Sequence, residues 1–102
     1  MTAPGTDARP GQPDTRLTAW VEGSVQGVGF RWWTRSRALE LGLAGLAENL
    51  ADGRVKVVAE GPRERCEELV ALLQGGQAPG RVRRVVTRWA AAAGDVAGFV
   101  ER

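Results

Sequence analysis

The chain has no histidine and no tyrosine. That excludes imidazole as a general base or metal ligand, and it excludes a tyrosine nucleophile. Cysteine occurs once, at Cys66, so no internal disulfide can form and no cysteine-based metal site is supported. A lone thiol fits a reducing compartment, and a cytoplasmic location is expected. No apolar run approaches the roughly 18 residues of a membrane span. The opening stretch MTAPGTDARPGQPDTR also lacks the apolar block of a secretory signal. No membrane partner is expected. Excess charge is scarce as well: 14 basic residues face 12 acidic ones, a formal net charge of +2. That is too little to imply a nucleic-acid partner.

What is present is an ordinary globular composition. Its 102 residues, 43% apolar and 25% charged, suit one domain with one modest core. Residues 1–15 are rich in Pro, Gly, Thr and Asp, with almost no large apolar side chains, and read as a disordered tail. The folded domain is expected over 16–102.

Within it, RLTAWVEG alternates Leu17, Ala19 and Val21 against Thr18, Trp20 and Glu22, the period of a strand. WWTRSRALELG places Phe30, Trp33 or Thr34, Ala38 and Leu41 on one helical face, with Gly42 set to end the helix. LAGLAENL and RVKVVAE are two strands joined around Asp52-Gly53, a hairpin signal. Gly61-Pro62 opens a second helix whose Cys66, Leu69, Val70 and Leu73 share a face. RVRRVVTRW is a fourth strand, and Asp95–Glu101 a short fifth one that the sequence does not place.

The order β-α-β-β-α-β is that of an α+β, ferredoxin-like α/β sandwich. Right-handed crossovers then predict the strand order 4-1-3-2, all neighbours antiparallel, with both helices on one face.

The stretch that carries chemistry is GSVQGVGFR, residues 23–31, with three glycines and a closing arginine. Glycine permits positive φ and close approach to the backbone. A loop of this kind can turn its amides inward around an anion, next to the positive end of the following helix. Arg31 adds a planar fork that grips two phosphate oxygens. These parts suit a small phosphate dianion, although the spacing alone equally fits a loop that only turns the chain. The Walker and Rossmann glycine patterns are both absent.

VEGSVQGVGFR, Val21 to Arg31, resembles the acylphosphatase signature at every fixed position. The second pattern of that family is matched at Gly45, Ala47, Asn49, Gly53, Val55 and Gly61, and the terminal GFVER resembles its closing strand. The likeness covers about residues 16–102. It departs at Leu46, where the family usually has an aromatic, and at Glu48, where it has a basic, neutral polar or small residue. The resemblance implies hydrolysis of small-molecule acyl phosphates to carboxylate and inorganic phosphate, by a monomer without metal or other cofactor. It implies Arg31 as the phosphate-binding arginine and Asn49 as the residue that orients the attacking water. It further implies that Ser24, Val25, Gln26, Gly27, Val28, Gly29 and Phe30 form the phosphate-binding loop.

The chemistry is consistent with what the chain lacks. An acyl phosphate already carries a good leaving group, so its hydrolysis asks for positioning and charge stabilisation rather than a strong base. Asn49 is too weak a base to deprotonate water, and a substrate phosphate oxygen can accept that proton. Ser24 has no neighbouring base, Cys66 sits on an apolar face, and Glu64, Glu67 and Glu68 form a solvated helix face. Trp32 and Trp33 adjoin the loop, where one could stack on an acyl group. Arg81, Arg83, Arg84 and Arg88 make the fourth strand basic, as a protected edge strand would be.

Two rival readings remain. One is a non-catalytic ferredoxin-like module for RNA binding or regulation, although strands 1 and 3 lack the aromatic pair of RNA readers on this fold. The other is the acylphosphatase-like domain of a larger carbamoyl-phosphate-handling maturation protein. The end at Arg102 favours a free-standing enzyme.

Overall fold

The computed structural model describes residues 14–102. The expected tail falls outside the described residues except at its end, where β1 (Thr15–Ser24) starts one residue earlier than the sequence boundary. Thr15 is already paired, with Gly61 on one side and Ala91 on the other.

Leu17, Ala19 and Val21 are fully buried on one face of β1, as their alternation requires. After β1 come α1 (Phe30–Glu40), β2 (Ala44–Asn49), β3 (Val55–Gly61), α2 (Arg63–Gln74), β4 (Arg81–Ala91) and β5 (Phe99–Glu101). They form one five-stranded sheet in the order β4-β1-β3-β2-β5. The first four strands are antiparallel neighbours in the predicted 4-1-3-2 arrangement. Both helices cover one face, where Phe30 and Ala38 of α1 and Cys66, Leu69 and Leu73 of α2 join the strand residues in one core. No helix among the described residues is long and apolar enough to cross a membrane.

α1 starts at Phe30, the first of the residues expected on its buried face, directly after Gly29 in the left-handed conformation at the N-cap. It ends as expected: Gly42 (φ 74°) lets its own N–H reach Leu39 O at 3.0 Å and Leu43 N–H reach Ala38 O at 2.9 Å. β5 is shorter than Asp95–Glu101 and pairs with β2 in parallel, a placement the sequence left open. The reason is geometric. A chain leaving β4 at one edge crosses to the other and runs back, and that reversed direction is the direction of β2.

The crossing segment, residues 92–98, is held on the open face of the sheet by Glu60. The buried Glu60 carboxylate accepts bonds from Ala93 N–H (2.9 Å), Gly94 N–H (3.1 Å) and Arg16 Nη1 (2.8 Å). Arg16 also donates to Asp95 Oδ1 at 2.9 Å.

Candidate active site

The connection from β1 to α1 is anchored at both ends in the core, by Val25 and Phe30. Between them Gly27 (φ 77°) and Gly29 (φ 86°) take left-handed conformations that a side chain would strain. Gln26 ties the loop to the β2–β3 turn: its Nε2 donates to Leu50 O at 2.7 Å and to Arg54 O at 3.0 Å. That turn is closed by Leu50 N–H to Arg54 O (2.8 Å), with Gly53 at φ 95°. It is braced by Asp52, which accepts both Arg54 N–H (3.1 Å) and Arg54 Nε (2.9 Å). The Gln26 side chain is thus committed to holding the loop in place.

α1 begins without a side-chain cap and without an acidic residue in its first turn. Its first intrahelical bond runs from Trp33 N–H to Gly29 O at 3.0 Å. The preceding N–H groups are free of the helix ladder, at the positive end of its dipole. Arg31 is the second helical residue. Its Nη1, one of five N–H donors on the guanidinium, donates to the main-chain oxygen of Arg102 at 2.6 Å. The same oxygen accepts Asn49 N–H at 3.2 Å, while Arg102 N–H donates to Ala47 O at 2.8 Å. One backbone oxygen therefore brings Arg31 and Asn49 together from distant parts of the chain.

Asn49 closes β2 on the helix-covered face, in line with the buried Ala47. Its Oδ1 is buried with no hydrogen-bond partner among the described residues. Glu48 points the other way, opposite Lys56 on β3. Leu46 is buried on that same open face, opposite Val58.

A pocket of about 70 Å³ opens here, lined by Gly27 and Gly29 of the loop, Phe30, Arg31 and Trp32 of α1, and Glu101 of β5. Of the expected phosphate-binding residues it gathers Val25, Gly27, Gly29, Phe30 and Arg31. It does not take in Ser24, which is exposed at the end of β1 and paired with Arg81. Nor does it take in Gln26, Val28 or the side of Asn49. A larger cavity of about 330 Å³ lies between Glu22, Asp52, Arg54 and Arg83. Its arginines already face carboxylates, Arg54 that of Asp52 at 2.9 Å and Arg83 that of Glu22 at 3.7 Å. The smaller pocket is lined by one arginine, Arg31, and one carboxylate, Glu101.

Other side chains weighed from sequence are structural. Cys66 is fully buried, and burial pushes its thiol up to about 11, which leaves it unreactive at neutral pH. Trp89 lies beneath the guanidinium of Arg63, 3.9 Å from the ring centroid. Trp33 packs toward Phe30, with ring centroids 6.1 Å apart. No group of three or more Cys, Asp or Glu side chains among the described residues is placed to hold a metal ion. Glu101 was not singled out in the sequence, although the alternation of GFVER puts it on the same face as the buried Phe99. The Arg102 main-chain oxygen gave no signal, since a backbone oxygen is common to every residue.

The family model for acylphosphatase matches residues 17–100. The acylphosphatase of Nocardia farcinica is 68% identical over 87 residues, 85% of this chain and 87% of that protein. The acylphosphatase of Mycobacterium tuberculosis is 64% identical over 90 residues, 88% of this chain and 97% of that protein. Among solved structures, the acylphosphatase from Bacillus subtilis aligns with a TM-score of 0.81 at 30% identity, over 86% of this chain and 98% of that one. Full-length HypF, in a phosphate- and nucleotide-bound form, shares the fold: its TM-score is 0.80 at 22% identity, over 92% of this chain and 12% of that one. Matched across its folded domain, and over most of the length of its relatives, the chain belongs to the acylphosphatase family.

Proposed function

We propose that the protein hydrolyses the carboxyl–phosphate bond of acyl phosphates, with the phosphate held by the 25–30 loop amides and Arg31 and the attacking water oriented by Asn49. The observation that carries this reading is the uncapped start of α1, which opens on the 70 Å³ pocket beside Arg31. A phosphate group there meets the free N–H groups of the first turn, amides released by Gly27 and Gly29, and the remaining donors of a guanidinium aimed by Arg102 O. Charge stabilisation of this kind needs no reorganisation as the transition state forms.

Asn49 Oδ1 has no hydrogen-bond partner among the described residues, but it is buried and outside the pocket lining, so a turn of the side chain toward the bound phosphate is part of this reading. Its amide then holds a water without removing its proton. Attack of that water on phosphorus forms one P–O bond and breaks the P–O bond to the acyl group. The acyl group leaves as carboxylate, and the water's proton passes to a phosphate oxygen. The chain's own groups bind and orient, and no metal takes part.

A benzoyl-phosphate assay tests this. Arg31→Ala is expected to lose about 10²–10³ or more in rate, together with inhibition by inorganic phosphate. Asn49→Ala is expected to lose kcat while keeping phosphate affinity. Near-normal turnover by Arg31→Ala would refute the assignment, a selective loss of phosphate binding in Asn49→Ala would mean its role is different, and activity abolished by chelator would contradict the metal-free chemistry.

A further inference from the structure

A pocket of about 70 Å³ is far below the roughly 300 Å³ needed to enclose a drug-sized ligand. It holds a phosphoryl-sized group and leaves the rest of a substrate at its mouth. Two side chains of the lining are exposed to solvent. Trp32 is 61% exposed, the most exposed of the large hydrophobic side chains among the described residues. Glu101 is exposed on β5, and its register opposite the buried Ala47 turns it toward the helix-covered side of the sheet, where α1 begins. Neither side chain is needed for the core. An exposed indole beside an exposed carboxylate, at the outlet of an anion pocket, is a built contact for the part of the substrate that is not phosphate.

We propose that Trp32 and Glu101 select the acyl group, favouring apolar, aromatic or cationic acyl phosphates and rejecting those that carry a second anionic group. This inference rests on the acyl-phosphate reading of the pocket. The indole face attracts a ring by stacking or an ammonium by cation–π interaction. The charge balance sets the sign of the selection. Arg31 supplies one positive charge, which the phosphate dianion more than neutralises. A further carboxylate or phosphate on the acyl group therefore finds no spare positive charge from Arg31. Its repulsion from the substrate's own phosphate is already present in free solution and selects nothing, whereas Glu101 repels it only in the site. At a separation of roughly 8 Å, near a protein surface, that repulsion corresponds to about a 3–30-fold loss and weakens with salt.

The test is a series of benzoyl phosphates differing only at the para position: unsubstituted, carboxylate or aminomethyl, with acetyl phosphate as the small neutral reference. The readout is the ratio of kcat/KM between two substrates within one variant, so a general loss of activity cancels. Wild-type protein is expected to disfavour the para-carboxylate about 10-fold against benzoyl phosphate, with the gap narrowing as ionic strength rises. In Glu101→Gln the ratio is expected to approach 1. In Trp32→Ala the preference for benzoyl over acetyl phosphate is expected to fall about 5-fold, with recovery in Trp32→Phe. Ratios unchanged in Glu101→Gln, or a benzoyl preference unchanged in Trp32→Ala, overturn the proposal. An inactive Arg31→Ala beside such unchanged ratios overturns this inference alone, whereas an active Arg31→Ala overturns the pocket assignment and this inference with it.

Discussion

At the scale of single residues, Glu60 is the side chain on which acid stability turns. Burial pushes its carboxyl up, but the bonds from Ala93 N–H, Arg16 and Gly94 N–H outweigh that and hold it below the ordinary 4.5. A carboxyl depressed in the folded state binds its proton more readily when unfolded. Its stabilisation is therefore complete above pH about 4.5 and is lost as pH falls through the lower folded value. Glu60→Gln removes the charge that three donors converge upon, and should cost about 1–3 kcal/mol at pH 7. It should also flatten the acid side of the stability profile below pH 4.5. Asp52 carries a depression of the same sign, caused first by Arg54 N–H, so the variant's slope is reduced and not abolished. Urea unfolding at pH 7 and pH 3.5 measures both effects, and an unchanged slope in the variant would show that Glu60 is not the group involved.

At the scale of elements, the sequence was most legible wherever one face is buried. β1, α1 and α2 each carry a period that the core imposes, and each was placed to within two residues. β5 was legible only in part, because residues 92–98 follow the contour of the open face and show no period. The glycines mark a second limit. Gly45 could be read only as a match to a family pattern, whereas the structure gives its reason. A Cβ there would lie 1.8 Å from Val58 O, at φ 155°, where β2 closes on β3. The clash is with backbone, so no rotamer relieves it. Gly45→Ala should destabilise by about 2 kcal/mol or more, lowering the melting temperature by about 10 °C in a domain of this size. A melting temperature within a degree or two of wild type would show that β2 shifts freely against β3, contrary to this pairing. Gly27 and Gly29 differ in kind: open space surrounds the missing Cβ, and the conformation alone demands glycine.

At the scale of the whole molecule, the handedness of crossovers was enough to order four strands, and it also carried the prediction that both helices share a face. It could not order the fifth, whose position follows from the route between the two edges of the sheet. The candidate site draws on that route. The loop and α1 supply the pocket's glycines and Arg31, β2 supplies Asn49, β5 supplies Glu101, and Arg102, just beyond β5, supplies the oxygen that Arg31 contacts. Of these contributions the loop, Arg31 and Asn49 were proposed beforehand from the family resemblance, because their motif spacing is local in the sequence. The role of Arg102 depends on three-dimensional closure.

The Arg102 oxygen follows a strand of three residues, secured by the buried Phe99 and by the Arg35 Nε bond to Phe99 O at 2.9 Å. A short edge strand paired on one side only opens at a lower free-energy cost than the global transition. Turnover should therefore fail before the protein melts: on slow heating, benzoyl-phosphate hydrolysis would decline while far-ultraviolet ellipticity still reports an intact sheet. Coincident midpoints would mean that β5 is as firmly seated as the core. Otherwise, enzymatic assay serves as the more sensitive thermometer of this molecule, reading the loosening of one short edge strand.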